Sequence, residues 1–395
     1  MKYIVFKYLW LFAVLPKMMQ LPLLAVLFVL IVKEEKQFSL LAYDFKSDAY
    51  LTILFVCNAI HVFSIIVNGI TGQYPLARLL AAGNTVAIAY LGMGFYLFYS
   101  RIKIDLTKVG KYMFVNLNIL VALCALYFII GDRGDIPLLG SLSGWDQVHG
   151  EDTTRLIAYL DYPNMIVFMY LYCYAFAVDY LSRRMNKFLL LGMEVLYILP
   201  MAAARSRTGV VCGLGMLTVS ILLTKNDMIA AIYLKYKRKI WTYGVICVVL
   251  CGIVLWKELI AVLEHFLSYR AGSTATRSII YGASLEKMLT ESPIWGCGIK
   301  GIIPEIGFPY GSHSTYLGMF YKTGILGGSL YLLATGIAVW GIIRRQEYTK
   351  LDILLSFTFL ALFAFAMLED IDGANWNVVL FMSLFALCFK NQHLE

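Results

Sequence analysis

The sequence predicts an all-α, polytopic integral membrane protein with about twelve transmembrane helices (eleven being possible), forming one transmembrane domain over residues 1–395. Three observations carry this. Sixty per cent of the 395 residues are hydrophobic, enough for about twelve spans at ~20 residues each. Only 15% are charged, against roughly 25% in a typical soluble domain. The apolar stretches are unbroken and do not alternate with polar residues, which excludes an outer-membrane barrel. The same composition excludes a soluble enzyme and a disordered chain.

The apolar runs fall at 3–16, 19–32, 50–70, 77–99, 111–130, 162–181, 187–204, 209–224, 240–256, 316–343, 351–368 and 375–389. The first resembles a signal peptide. It lacks a small-residue cleavage site and leads straight into the second run, so it reads as the first span. Residues 3–32 cross either once, as a kinked helix, or twice, as a hairpin around Pro16 and Lys17.

Charge sets the orientation. The loops 99–112, 182–187, 225–239 and 344–352 hold 15 Lys and Arg against 4 Asp and Glu, which places them in the cytoplasm. Lys2 and Lys7 prefer the same side, which favours the hairpin and two cytoplasmic termini. The loop 131–161 is acidic, with Asp132, Asp135, Asp146, Glu151, Asp152 and Asp161 against Arg133 and Arg155. The loop near 369–374 carries Glu369, Asp370 and Asp372 with no base. These, and the long segment 257–315, fall outside. Loops 131–161 and 257–315 are too long to be mere connectors and form the expected active-site side.

The net charge of +8 reflects those basic clusters and not a nucleic-acid surface, so no nucleic-acid partner is expected. Most of the eight cysteines lie in apolar runs, with no CxxC pair and no spaced Cys/His set, so neither a disulfide framework nor a metal site is expected.

Chemistry-bearing residues gather on the outer side. Arg205 and Arg207 stand between two apolar runs, where an arginine is costly. They either snorkel to headgroups or form an anion site. Arg207 is the better candidate, because Ser206, Thr208 and Gly209 can start the next helix and aim free N–H groups the same way. In the large loop, Ser273 to Thr276 read as a helix start, Tyr281, Leu285, Met288 and Leu289 follow at helical spacing, and Pro293 ends the helix. Arg277 then sits in the first turn, where the helix dipole disfavours a cation and a nearby anion would offset it. Arg270 can converge on the same point.

Gly296, Gly298 and Gly301 form a GxG stretch that is only a weak phosphate signal. His313, between Ser312 and Ser314, precedes a long apolar helix. Glu264 and Glu305 are rival bases in its loop, with Asp370 or Asp372 in the last outer loop. Asn164 either caps the following helix or orients a substrate. Asp370-Ile371-Asp372 is a DxD, which in some glycosyltransferases holds a divalent metal; short, acidic and interhelical, it reads here first as a solvated loop, and His61 and Asn58 read as bonds between helices.

Together these stretches resemble the O-antigen polymerase and O-antigen ligase superfamily of bacterial envelope enzymes (Wzy and WaaL types). Ser206-Arg207-Thr208-Gly209 resembles its arginine turn. Arg277 followed by Pro293-Ile294-Trp295-Gly296-Cys297-Gly298 resembles its arginine, short helix and PxxGxG. Ser312-His313-Ser314-Thr315-Tyr316-Leu317 with Thr323-Gly324-Ile325-Leu326-Gly327 resembles its HNxYL and GILG elements, with Ser314 where the family commonly has Asn. Tyr162-Pro163-Asn164 resembles a further element.

The resemblance covers mainly residues 162–330. It implies a GT-C-like, inverting, metal-independent membrane glycosyltransferase with no cofactor, in a bacterial inner membrane with its site facing the periplasm or exterior. Its substrates would be an undecaprenyl-diphosphate-linked oligosaccharide and a growing lipid-linked polysaccharide, with a flippase and a chain-length regulator as partners in a bed of membrane lipids. Polymerases dominate the superfamily, so repeat-unit polymerisation is the first expectation and ligation to a lipid A core or protein the second. The implied catalytic residues are His313, Arg277 and Arg207. Arg205, Arg270, Asn164, Ser312, Ser314 and Tyr316 are the implied substrate contacts. A transporter is the alternative of another class. It would show repeated halves and ionisable groups at the membrane midplane, whereas here the polar residues gather at one face.

Overall fold

The computed structural model describes residues 1–35, 48–72, 74–130, 135–136, 140–148, 151–254, 271–345 and 349–390. Within them, every apolar run becomes helix. The order is α1 (Ile4–Lys7), α2 (Leu9–Val14), α3 (Lys17–Glu34), α4 (Ala49–Thr71), α5 (Leu76–Tyr99), α6 (Leu106–Ile130), α7 (Met165–Ser182), α8 (Lys187–Leu196), α9 (Leu199–Ala203), α10 (Arg207–Val219), α11 (Asp227–Val254), α12 (Ala271–Glu291), α13 (Thr315–Arg344), α14 (Lys350–Phe365) and α15 (Asn375–Phe389). A π-helical turn, Ser220–Thr224, extends α10.

Among the described residues, six helices are long and apolar enough to cross a membrane: α4, α5, α6, α7, α10 with its π turn, and α13. The other apolar runs form shorter or interrupted helices. Residues 187–204 split into α8 and α9, because Pro200 can offer no N–H to a continuing helix. Residues 3–16 split into α1 and α2, and α14 and α15 have 16 and 15 residues. The loop 131–161 adds two antiparallel hairpins, β1 (Asp135–Ile136) with β2 (Gly140–Ser141) and β3 (Ser143–Val148) with β4 (Glu151–Leu156). A polar loop with no helical period satisfies its backbone by pairing with itself.

The N-terminus is a hairpin. The Met1 ammonium pairs with Glu34 at 2.7 Å and Lys2 with Glu35 at 3.8 Å. Lys17, at the turn, donates to the carbonyls of Asp372 and Gly373 at the far end. Contacts gather the basic loops at the end shared by Met1 and Glu34. Tyr99 Oη donates to Lys2 O, and Asp105 N donates to Tyr3 Oη. Tyr96 and Lys390 both reach Asp48. Arg345 pairs with Asp352, Lys237 donates to Arg345 O, and Lys350 pairs with Asp227. Phe114 packs on Tyr180, near Arg183. The 15:4 basic excess therefore marks one physical end of the bundle, and the starts of α7, α10 and α13 mark the other.

α7 lies at the centre, with 83% of its apolar window buried. A helix apolar all round is a core helix. The other defining feature is a break in α13. Gly324 takes φ 64°, ψ −167°, a conformation that side chains disfavour. The break interrupts the helical hydrogen-bond ladder, and the segment Pro293–Gly298 takes over. Ile325 N donates to Pro293 O at 2.8 Å and Leu326 N to Ile294 O at 3.3 Å, while Cys297 N donates to Tyr321 O at 2.8 Å and Gly298 N to Lys322 O at 3.2 Å. The loop is spliced into the helix through its backbone.

This splice leaves no room for side chains. A Cβ on Gly324 would stand 2.2 Å from Ile294 O, and one on Gly296 would stand 2.3 Å from Gly324 N. Gly324→Ala and Gly296→Ala are each expected to lower the melting temperature or abundance of the detergent-purified protein sharply, since the φ strain alone costs about 1–3 kcal/mol. Gly301→Ala, where the nearest atom is 3.6 Å away, is expected to leave both unchanged. Thermal unfolding of the three variants checks this.

Candidate active site

The site forms where α7, α12 and α13 begin or pass the strap between α14 and α15. Four of the sequence candidates meet there around a residue the sequence did not single out, Glu369. Its side chain is 2% exposed. Glu369 Oε1 accepts from Arg277 Nη2 at 2.6 Å and from the side-chain amide of Asn164. Its Oε2 lies 3.8 Å from His313 Nδ1. Ser314 N, the next residue along, donates to Asp370 Oδ1 at 3.1 Å.

Local structure explains each position. Ser314 caps α13 by accepting from Leu317 N at 3.3 Å. Ser and Asn are comparable N-caps, so the departure from the family pattern at this position preserves the cap. His313 precedes the cap with φ 60°, and Tyr281 Oη donates to its carbonyl at 2.7 Å. Thr315 binds the strap by donating from Oγ1 to Glu369 O and accepting from Ile371 N. Ser312 Oγ donates to Pro309 O, and Tyr316 Oη donates to Phe363 O. Both groups hold the turn and the helix against their surroundings.

Ser206 caps α10 as expected, accepting from Gly209 N at 3.3 Å. Gly209 lets α10 approach α7 closely: a Cβ there would meet Val167 at 2.6 Å. Arg207 stands two residues before Gly209, in the first turn of α10. Arg205 is exposed with φ 51°. Arg155, from the β3–β4 hairpin, donates to Ala204 O at 2.9 Å, so loop 131–161 closes on this turn. Arg270 and Glu264 lie outside the described residues. Glu305 is exposed.

Several expectations are corrected. α12 already runs through Ala271, so Ser273 to Thr276 are interior and Arg277 lies beyond the first turn. Small polar residues continue a helix when packing holds it. The anion that Arg277 needs is Glu369. The buried face of α12 is Ile280, Ser284 and Met288, while Leu285 and Leu289 are exposed. Asn164 does not cap α7. The GxG stretch is a backbone joint held by Ser64 and Asn68 on Gly296 O. His61 Nε2 donates to Gly298 O at 2.9 Å in that loop, and not to a helix. Asn58 lines a mostly apolar cavity between α4, α5, α13 and α15 and finds no hydrogen-bond partner for its amide nitrogen among the described residues.

The largest correction is the DxD, which is not solvated. Asp372 pairs with Lys322 at 2.5 Å and Asp370 with Lys300 at 3.5 Å. Burial pushes the Asp370 carboxyl up from the usual range, with Lys300 opposing. Burial works the same way on Asp372, but Lys322 and Lys300 outweigh it and hold that carboxyl below its ordinary value. Lys300 loses to burial and gains more from the two aspartates, so its value is raised. Lys322 was the missed signal. A lysine inside an apolar run needs a partner, and the base-free acidic loop was available to supply one.

Removing Glu369 leaves Arg277 without its carboxylate. Glu369→Ala is expected to destabilise the protein by about 1–3 kcal/mol, discounted because Arg277 is partly exposed. Glu369→Gln, which keeps an acceptor for Asn164 and Arg277, is expected to fall between. Thermal unfolding in detergent reads both, and an unchanged Ala variant contradicts the junction.

The family model described as O-antigen ligase (Wzy_C) matches residues 192–332. This supports the resemblance to the O-antigen ligase and polymerase superfamily over the stretch that carries Arg205, Arg207, Arg277 and His313 to Tyr316. Asn164 and the strap lie beyond it. No curated protein matches the chain.

Proposed function

We propose, from that family match and this geometry together, that the protein is a polysaccharide repeat-unit polymerase. It would transfer a glycan from undecaprenyl diphosphate to a sugar hydroxyl on a growing lipid-linked chain, on the outer face of a bacterial cell membrane. The observation that carries the reading is the junction of Arg277, His313 and Asn164 on Glu369, at the end of the bundle opposite the basic loops.

The residue types fit the chemistry. Negative charge grows on the lipid diphosphate as the anomeric carbon is attacked. A guanidinium binds phosphate through a planar fork and keeps its proton, which is the role given to Arg277 and Arg207. A sugar hydroxyl becomes a competent nucleophile when its proton is taken, and an imidazole titrating near neutrality suits that task. Glu369, 3.8 Å from His313 Nδ1, would orient the ring and leave Nε2 for the acceptor. Direct attack inverts the anomeric centre. Asp370 and Asp372 each face an ammonium, so the proposed mechanism is metal-independent. A flippase would supply the lipid-linked unit and a chain-length regulator would act on the product.

The second reading is a ligase that moves a finished chain to a lipid A core or protein, and the family match is common to both readings. The two separate in one assay. Purified protein with a synthetic undecaprenyl-diphosphate repeat unit is expected to give a ladder of products, whereas a ligase gives none until its acceptor is added. His313→Ala is expected to lower turnover about 10²–10⁴-fold with donor affinity largely kept. His313→Gln serves as the hydrogen-bonding control. Arg207→Ala and Arg277→Ala are expected to impair polymer formation, and Arg→Lys at either position as well. Full activity in both Ala variants removes the diphosphate assignment.

The proposed topology has its own test. Ser141→Cys and Ser292→Cys, introduced in turn, are expected to react with a membrane-impermeant thiol reagent in intact cells or spheroplasts. Protection of either would put the site on the wrong side of the membrane.

A further inference from the structure

Glu369, Asp370 and Asp372 share one short strap, and each holds a cation from a different part of the chain: Arg277 in α12, Lys300 in the loop before α13, and Lys322 in α13. The three pairs differ in kind. Lys322 and Asp372 are 2.5 Å apart with the lysine side chain 5% exposed, which is a closed structural pair. Lys300 and Asp370 stand 3.5 Å apart, with side chains 23% and 14% exposed. That distance is long for a charge-assisted bond, which is ordinarily about 2.7–2.9 Å.

The Asp370 carboxylate also occupies a particular place. Its Oδ1 accepts from Ser314 N at the start of α13, a helix of 30 residues. A helix N-terminus with a lysine beside it is a favourable position for an anion. The residue one turn further on is Gly318. A Cβ there would stand 2.8 Å from Gly311 O, 3.6 Å from Lys300 Nζ and 3.9 Å from Asp370 Oδ1, so glycine lets the loop before α13 and the Lys300–Asp370 pair come close to its first turn. His313, with its ring near Glu369, adjoins it in sequence.

We propose that Lys300 is a phosphate-binding residue of this site and that the Asp370 carboxylate is an internal stand-in, holding the place of a substrate phosphate at the start of α13 until the lipid diphosphate arrives. The proposal rests on the lipid-diphosphate reading above and adds to it a residue and an exchange. The strap itself stays put, because Thr315 Oγ1 binds the backbone on both sides of Asp370. Only the Asp370 side chain has to swing aside. Burial already works against its charge, and Lys300 exchanges one anion for another without being left unpaired.

A structural pair and a stand-in respond oppositely to loss of the acid, and that decides the test. The probe is undecaprenyl diphosphate without a glycan, and its affinity is measured on the purified full chain in detergent. Lys300→Gln is expected to weaken binding about tenfold, and Lys300→Arg to restore most of it. Asp370→Asn removes the competing charge while its amide oxygen can still accept from Ser314 N, so binding is expected to tighten several-fold. Asp370→Ser is the substitute if that variant is not recovered folded. The proposal is overturned if the Lys300 and Asp370 variants weaken binding alike, or if neither shifts it while Arg277→Ala does. If the folded wild type fails to bind the probe, the lipid-diphosphate reading falls and this proposal with it.

Discussion

The site depends on a break in a helix that must still satisfy its backbone. A buried N–H or C=O left unpaired costs about 1–3 kcal/mol, so α13 can open at Gly324 only if another segment supplies the missing partners. Pro293–Gly298 does this with two carbonyls and two N–H groups. The same splice fixes the end of α12, which carries Arg277, and the start of the loop that carries Lys300. It also explains why Gly296 and Gly324 occur together. Each adopts positive φ, and each leaves room for the backbone of the other.

The second constraint is electrostatic. A charge near hydrocarbon is retained only when paired or functional. Here the strap 369–372 provides counter-charges at one level of the bundle, and Thr315 ties that strap to the start of α13. Arg277, Lys300 and Lys322 are thereby held close together without expelling one another. His313 is drawn to the same point by its position before the α13 cap. The basic loops lie at the opposite end, so the fold separates a charged, partly open site from a merely basic rim.

Much of this was legible in the sequence. The apolar runs located every described helix but α12, which the helical spacing in the long loop located, and Lys2, Lys7 and the Pro16-Lys17 pair indicated the N-terminal hairpin. Pro293 marked the end of α12, and Ser206 and Ser314 marked caps. The failures share one cause. Tertiary contacts decided what local pattern could not. Ser273 to Thr276 looked like a helix start because their small polar side chains suit caps, yet packing of Ile280 and Ser284 carries the helix through them. The GxG suggested a phosphate loop because glycine frees a backbone, but that freedom lets Gly296 meet Gly324 of the same chain, 28 residues on. The DxD looked solvated because its lysines lie 48 residues or more away in the chain. Lys322 alone, stranded in an apolar run, pointed toward that loop.

The central claim is that Glu369, Arg277 and His313 act as one unit on the transferred glycan. A double-mutant cycle on Arg277→Ala and Glu369→Ala measures this directly, using turnover of a lipid-diphosphate-linked repeat unit by purified protein. Residues that act together are strongly non-additive. The account predicts that the double variant is no slower than the slower single variant. Multiplicative losses, each variant slowing turnover independently of the other, would contradict it.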